Sequence, residues 1–235
     1  MPLFPQAVAL QPVQTLMMTL ATIGIVYGAF VSIVQTDIKK LIAYSSVSHM
    51  GVVMLGVFSL DPTAQTGALL QMVNHGISTG ALFLLVGMIY DRTHTRRIVD
   101  YSGLAKLMPV TAVFFMIATF ASIGVPLTNG FVGEFLTLLG SYRVRPVLTI
   151  ISATGVVLSA VYMLYLVERV FLGPVKHTHG ADSDLKGREI GVLAVLAVLI
   201  LWIGIYPRPL LGRIGSAVES ELLIMHTDRG QGSGN

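Results

Sequence analysis

Gly124-Val-Pro-Leu-Thr-Asn-Gly-Phe-Val-Gly-Glu134-Phe135 decides the fold. The stretch lies inside an apolar run over 109–141, long enough to cross a membrane, yet it carries a carboxylate, a proline and three glycines. An acidic residue at the centre of a membrane helix costs about 2.5–3.5 kcal/mol, so its presence there points to function. Pro126 has no N–H and its ring clashes with the carbonyl of Ser122, so the helix must open. Gly124, Gly130 and Gly133 permit that opening and close backbone approach. Thr128 or Asn129 can cap the restarted half-helix, with Glu134 one to two turns beyond. The half-helix dipole there modestly favours the anion, while burial favours the neutral acid. A carboxyl balanced between the two can load and release a proton. The plainer alternative is a buried structural glutamic acid.

Composition places the whole chain in a bilayer. Of its 235 residues, 54% are hydrophobic and 11% charged, with a mean hydropathy of +0.77. Soluble domains carry roughly 25% charged residues. The chain has 24 glycines and 10 prolines, which membrane helices tolerate. It has no cysteine, which excludes disulfides, thiolate nucleophiles, cysteine-ligated zinc and iron–sulfur clusters. The net charge of +3 is scattered through loops, with no basic stripe for nucleic acid. The first 12 residues lack Lys and Arg, which argues against a cleaved signal peptide.

Long apolar runs predict an all-α integral membrane protein with six spans, near 13–34, 41–60, 67–90, 109–141, 147–171 and 190–206. The fourth is too long for one straight crossing and reads as two half-helices meeting near Pro126. Residues 1–12 read as a loop, 172–189 as a polar cytoplasmic loop, and 207–235 as an interfacial tail. Within that tail, 208–226 has amphipathic spacing and Gly230–Asn235 reads as frayed. Loops after spans one, three and five carry 10 Lys and Arg against 5 on the other side. The positive-inside rule therefore predicts both termini outside the cytoplasm.

Two further spans carry polar side chains. Ser45, Ser46, Ser48 and His49 cluster on the second, with Ser45 and Ser46 one turn before His49. The serines alone are equally a small-residue packing seam, whereas a histidine with an unperturbed pKa near 6.5 suits proton hand-over. On the third, Gln71, His75, Ser78 and Thr79 form one stripe flanked by Asn74, expected to face the bundle interior. A hydrogen-bonded packing seam is its alternative. Lys39 and Lys40, beside Asp37 at a helix start, read as interfacial anchors, unless an earlier helix start turns Lys39 inward toward the Ser/His cluster. His94 sits among loop charges as an ordinary solvated histidine. His177 and His179 lack a carboxylate cage and give no metal site.

Three stretches together resemble a known family: Thr36-Asp-Ile-Lys-Lys-Leu-Ile-Ala-Tyr-Ser-Ser-Val-Ser-His49-Met-Gly, Gln71-Met-Val-Asn-His75-Gly and Asn129-Gly-Phe-Val-Gly-Glu134-Phe. They are similar to the antiporter-like subunits of respiratory complex I, supported by Tyr90-Asp-Arg-Thr-His-Thr-Arg and Ile203-Gly-Ile-Tyr-Pro-Arg-Pro. A carboxylate at position 134 points to the M branch, because the related L and N branches carry lysine there. The resemblance implies a transporter fold of two inverted five-helix repeats. Residues 13–171 correspond to the second repeat and 190–206 to the last helix. It implies a proton-translocating subunit of a quinone oxidoreductase in a bacterial inner membrane. Glu134 would be the outer carboxylate of the relay, His75 and His49 would line its axis, and Lys39 would match the lysine of the Asp-Ile-Lys motif. Ser45, Ser48, Gln71, Ser78 and Thr79 would line the channel, and Gly124, Pro126, Asn129 and Gly130 would form the helix break. NADH, FMN, iron–sulfur clusters and quinone would be bound by other subunits, with no cofactor on this chain. Its partners would be other membrane subunits, including one supplying the first repeat. A cation/proton antiporter subunit, a membrane-bound hydrogenase subunit and a truncated non-conducting paralogue are the alternatives.

Overall fold

The computed structural model describes residues 8, 10–175 and 183–232 of the chain. Its helices are α1 (Gln11–Ile33), α2 (Ile38–Ser59), α3 (Pro62–Thr93), α4 (Leu104–Leu107), α5 (Pro109–Ile123), α6 (Asn129–Val144), α7 (Pro146–Phe171), α8 (Gly187–Ile205) and α9 (Arg208–Gly232), with a 3₁₀ turn at Ile98–Asp100. Among the described residues five helices, α1, α2, α3, α7 and α8, are long and apolar enough to cross a membrane. The expected fourth span is the broken pair α5 and α6.

Most boundaries shift outward from the apolar runs because caps, not hydropathy, end helices. Asp37 accepts from Lys40 N at 3.1 Å and starts α2 at Ile38. Asp61 accepts from Ala64 N at 3.0 Å, with Pro62 in the first turn, and starts α3 five residues earlier than expected. His94, at φ 54°, ends α3 in the left-handed conformation. The amphipathic tail is the longer helix α9, whose Ile214, Val218 and Leu222, one turn apart, pack with Leu60. The backbone of the tail is helical as far as Gly232, against an expectation of fraying from Gly230. His177 and His179 lie outside the described residues.

Lipid tails supply no hydrophobic drive between helices, so close packing of small residues does the work. The α3–α6 seam shows it: a Cβ at Gly67 would meet the Thr137 backbone, one at Gly133 would meet Gln71, and one at Gly140 would meet Asp61 and Ala64. The two helices are therefore antiparallel and close along their shared length. Apolar packing concentrates nearer the other end, where Phe115 and Phe171 rings lie 4.7 Å apart within a cluster drawn from α2, α3, α5 and α7.

The loop end of α3 is tied by charge. Arg92 donates to both carboxylate oxygens of Glu189, at 2.6 and 3.3 Å, and to the carbonyls of Met88, Ser183 and Asp184. Asp184 in turn accepts from Val110 N, Thr111 N and the Thr111 hydroxyl, and so caps the first turn of α5 from outside the helix. Burial pushes the Asp184 carboxyl up, but these donors, with Leu185 N, outweigh it and hold the group below the usual aspartate value. One loop thus fixes where α5 begins, and the break lies at its far end.

Candidate proton-relay site

The break occupies Gly124–Thr128. Gly124 ends α5 at φ 76°, which favours glycine, and Leu127 takes φ 75°. Thr128 precedes α6 but makes no side-chain cap; its hydroxyl donates back to Val125 O at 2.6 Å. Asn129 is the first residue of α6, and its Oδ1 accepts from Gly130 N at 3.0 Å. A Cβ at Gly130 would collide with the carbonyl of Ala121, so the two half-helices meet at near-contact distance.

Glu134, 4% exposed, lies on the second turn of α6 among four other helices. Its Oε1 lies 2.9 Å from His49 Nδ1 on α2 and accepts from Gln71 Nε2 on α3 at 3.0 Å. Its Oε2 lies 2.9 Å from where a Cβ at Gly124 would stand, so the glycine leaves room for the carboxylate at the break. The other ring nitrogen of His49, Nε2, faces Ser122 Oγ on α5 at 3.4 Å and the Tyr162 hydroxyl on α7 at 3.5 Å. The His75 ring lies 5.6 Å from the His49 ring, centroid to centroid. Among the described residues, Glu134's ion-pair partner is His49, with no lysine or arginine beside it.

Residues singled out from sequence fall into three groups. Glu134, His49, Gln71 and His75 converge on one point. Thr79 Oγ1 bonds the His75 ring at 3.2 Å, and Ser78 donates to Asn74 O, extending the polar stripe along α3. Ser45 is buried and donates to Ile42 O within its own helix. Ser48 donates to Ile25 O of α1 at 2.8 Å, so it belongs to the α1–α2 seam rather than to the Glu134 cluster. Ser46 opens onto an outer groove lined by Met17, Met50 and Met54. Lys39 is exposed in the first turn of α2, about 15 Å along the helix from His49 at 1.5 Å per residue. The helix does begin earlier than expected, at Ile38, and Lys39 is exposed there.

Two members of the cluster went unread in the sequence. Tyr162 is fully buried. It continues a stripe of Ser152, Gly155 and Ser159 along α7 at helical spacing, which was its one available signal. Ser122 entered only through its carbonyl, and its hydroxyl faces the histidine. Gln71 Oε1 and Asn74 Oδ1 are buried acceptors without a hydrogen-bond partner.

The arrangement can pass a proton. An imidazole that takes a proton at Nε2 and releases the one at Nδ1 to the Glu134 carboxylate moves one net proton without leaving its place. On the same face of α6, Thr137 and Ser141 are fully buried and Arg145 follows, continuing a polar line from Glu134 to the far end of the helix.

Residues 1–160 match the family described as "NADH:quinone oxidoreductase/Mrp antiporter, TM". The chain is 44% identical over 231 residues to NADH-quinone oxidoreductase subunit M of Rhodobacter capsulatus, covering 98% of this chain and 45% of that protein. It is 45% identical over 224 residues to the subunit M of Rickettsia prowazekii, covering 95% and 45%. In structure it resembles a chain of respiratory complex I from Thermus thermophilus with bound NADH, with a TM-score of 0.85 and 39% identity over 94% of this chain and 47% of that one. The chain thus spans a little under half the length of the curated relatives it matches.

Proposed function

The chain belongs to the NADH:quinone oxidoreductase/Mrp antiporter transmembrane family, and from that premise we propose that it is a proton-translocating membrane subunit of an NADH–quinone oxidoreductase. The observation that carries the reading is the buried His49–Glu134 contact of 2.9 Å beside a broken membrane helix. Neither group stabilises a hydrocarbon-embedded fold, since each is costly there. Together they form a two-site proton carrier, with Gln71 steadying the carboxylate and Tyr162 and Ser122 facing the far nitrogen of the histidine.

In this reading His75 passes a proton toward His49, and His49 passes one to Glu134. Glu134 releases it along the α6 face that bears Thr137 and Ser141. Electrons move elsewhere: NADH, flavin, iron–sulfur clusters and quinone are assigned to other subunits, and coupling reaches this chain through charge. The loops rich in Lys and Arg face the cytoplasm, and both termini lie outside it. Lys39 takes the role of a surface anchor.

The names of relatives at 44–45% identity favour this assignment over a cation/proton antiporter or hydrogenase subunit. Inside-out membrane vesicles separate the options. Proton uptake driven by NADH should stop with a quinone-site inhibitor and should fall sharply in Glu134→Gln. Proton movement that ignores the inhibitor and follows an imposed sodium gradient would move the chain to the antiporter class.

A further inference from the structure

We propose that Asn74 and Asn129 are positioning residues for Glu134, through a reciprocal bridge that sets the register of α6 on α3. The proposal rests on the reading of Glu134 as the working carboxyl. Both asparagines are fully buried. Asn74 Nδ2 donates to Asn129 O at 2.7 Å, and Asn129 Nδ2 donates to Asn74 O at 3.3 Å. Each side chain therefore bonds the other residue's backbone, which fixes position rather than merely satisfying side chains.

The bridge stands where local capping fails. Backbone groups freed at a break inside the membrane must find partners within the protein. Thr128 turns its hydroxyl back into the break, so α6 takes no cap from the residue before it. Asn129 fills both needs at once: Oδ1 accepts from Gly130 N while Nδ2 reaches across to α3. Aspartate would keep the acceptor and lose the donor, so the amide is chemically required.

Register follows from the antiparallel seam. Three residues back along α3 from Asn74 is Gln71, and five residues on along α6 from Asn129 is Glu134; their side chains meet at 3.0 Å. A slip of one residue turns Glu134 by about 100° on its helix and carries it away from both Gln71 and His49. Among the described residues the ionisable groups facing the cluster are His49 of α2, His75 of α3 and Tyr162 of α7, while α5 contributes Ser122. His49 and Gln71 meet Glu134 only in the one register the bridge selects, while Ser122, Tyr162 and His75 reach it through the His49 ring.

The test is the rate at which a hydrophobic carbodiimide, which reacts with buried protonated carboxyls, modifies Glu134 in native membranes carrying the complex. Modification is followed by mass spectrometry of the peptide, with Glu134→Gln as the blank. Asn74→Ala and Asn129→Ala should both speed modification about threefold, the equivalent of losing one interhelical hydrogen bond. Gln71→Leu, which removes a donor directly, should do the same. Gly80→Ala, whose methyl would meet nothing within 4 Å on the same helix, should leave the rate unchanged. If Asn74→Ala disrupts assembly, Asn129→Ala, which removes the reciprocal donor from the other helix, carries the test. Wild-type rates in both asparagine variants would overturn the proposal. Labelling reads the placement of the carboxyl whether or not it takes part in proton transport. A Glu134→Gln complex that still pumps would therefore sink the proposed function without touching the bridge.

Discussion

His49 Nδ1 and Glu134 Oε1 are 2.9 Å apart although 85 residues separate them in the chain. The contact exists because α5 ends at Ile123 and α6 restarts at Asn129. The five residues between let α6 present its second turn to α2. Without the break, a continuous helix would carry position 134 past the histidine. The proline that opens the helix and the carboxylate that follows it are parts of one device.

That device predicts an order among its members. His49→Gln removes the group that takes a proton at one nitrogen and gives one at the other, so proton transport should fall nearly as far as in Glu134→Gln. Tyr162→Phe removes a hydroxyl at 3.5 Å from His49 Nε2, at the edge of hydrogen-bond range. Its loss should cost less than about tenfold in transport, the equivalent of one modest hydrogen bond. Initial rates of NADH-driven proton uptake in vesicles check the order, and a Tyr162→Phe defect equal to that of His49→Gln would reverse it.

Seam glycines should divide cleanly. A methyl at Gly133 meets Gln71, whereas one at Gly80, on the same α3–α6 bundle, meets nothing within 4 Å. Overpacking typically costs about 1–3 kcal/mol, so Gly133→Ala should lower both the yield of assembled complex and its thermal midpoint in detergent. Gly80→Ala should leave both at wild-type values.

Asp184 makes a prediction about acid. Its carboxyl lies below the usual aspartate value near 3.8 in the folded chain. A group lowered on folding stabilises the fold above its unfolded pKa, and that contribution is lost as pH falls through the lower folded value. Asp184→Asn should therefore unfold at a lower temperature than wild type at neutral pH, by an amount matching a lost helix cap of about 1 kcal/mol. The gap should close only below the ordinary aspartate range, and thermal scans at several pH values would show it.

Arg92 should not tolerate lysine. One guanidinium spans two carboxylate oxygens of Glu189 and three carbonyls, and a single ammonium cannot reproduce that fork. Arg92→Lys should loosen the loop before α8, read as faster proteolytic cutting near Ser183, while Arg96→Lys at its more exposed ion pair with Asp37 should change little.

The membrane class was legible because hydrocarbon demands long apolar runs, and the break because proline admits no other reading. Helix starts at Ile38 and Pro62 were not legible from hydropathy, since Asp37 and Asp61 set them through caps. Glu134, His49 and Gln71 stood out as polar side chains in the wrong solvent. Tyr162 did not, because a tyrosine in an apolar helix looks like packing. Ser48, expected to line the channel, places its hydroxyl on the Ile25 carbonyl of α1, a bond that sequence does not reveal because any serine can satisfy itself on a neighbouring carbonyl. Lys39 shows the converse limit: the helix starts three residues before the apolar run, and the lysine in its first turn is exposed.

The most direct measurement of the central claim is the number of protons moved per electron pair by the intact complex carrying Glu134→Gln, with quinone reduction measured in the same vesicles. The ratio should fall while assembly of the complex is preserved. A Glu134→Gln complex that reduces quinone and moves the wild-type number of protons would contradict it.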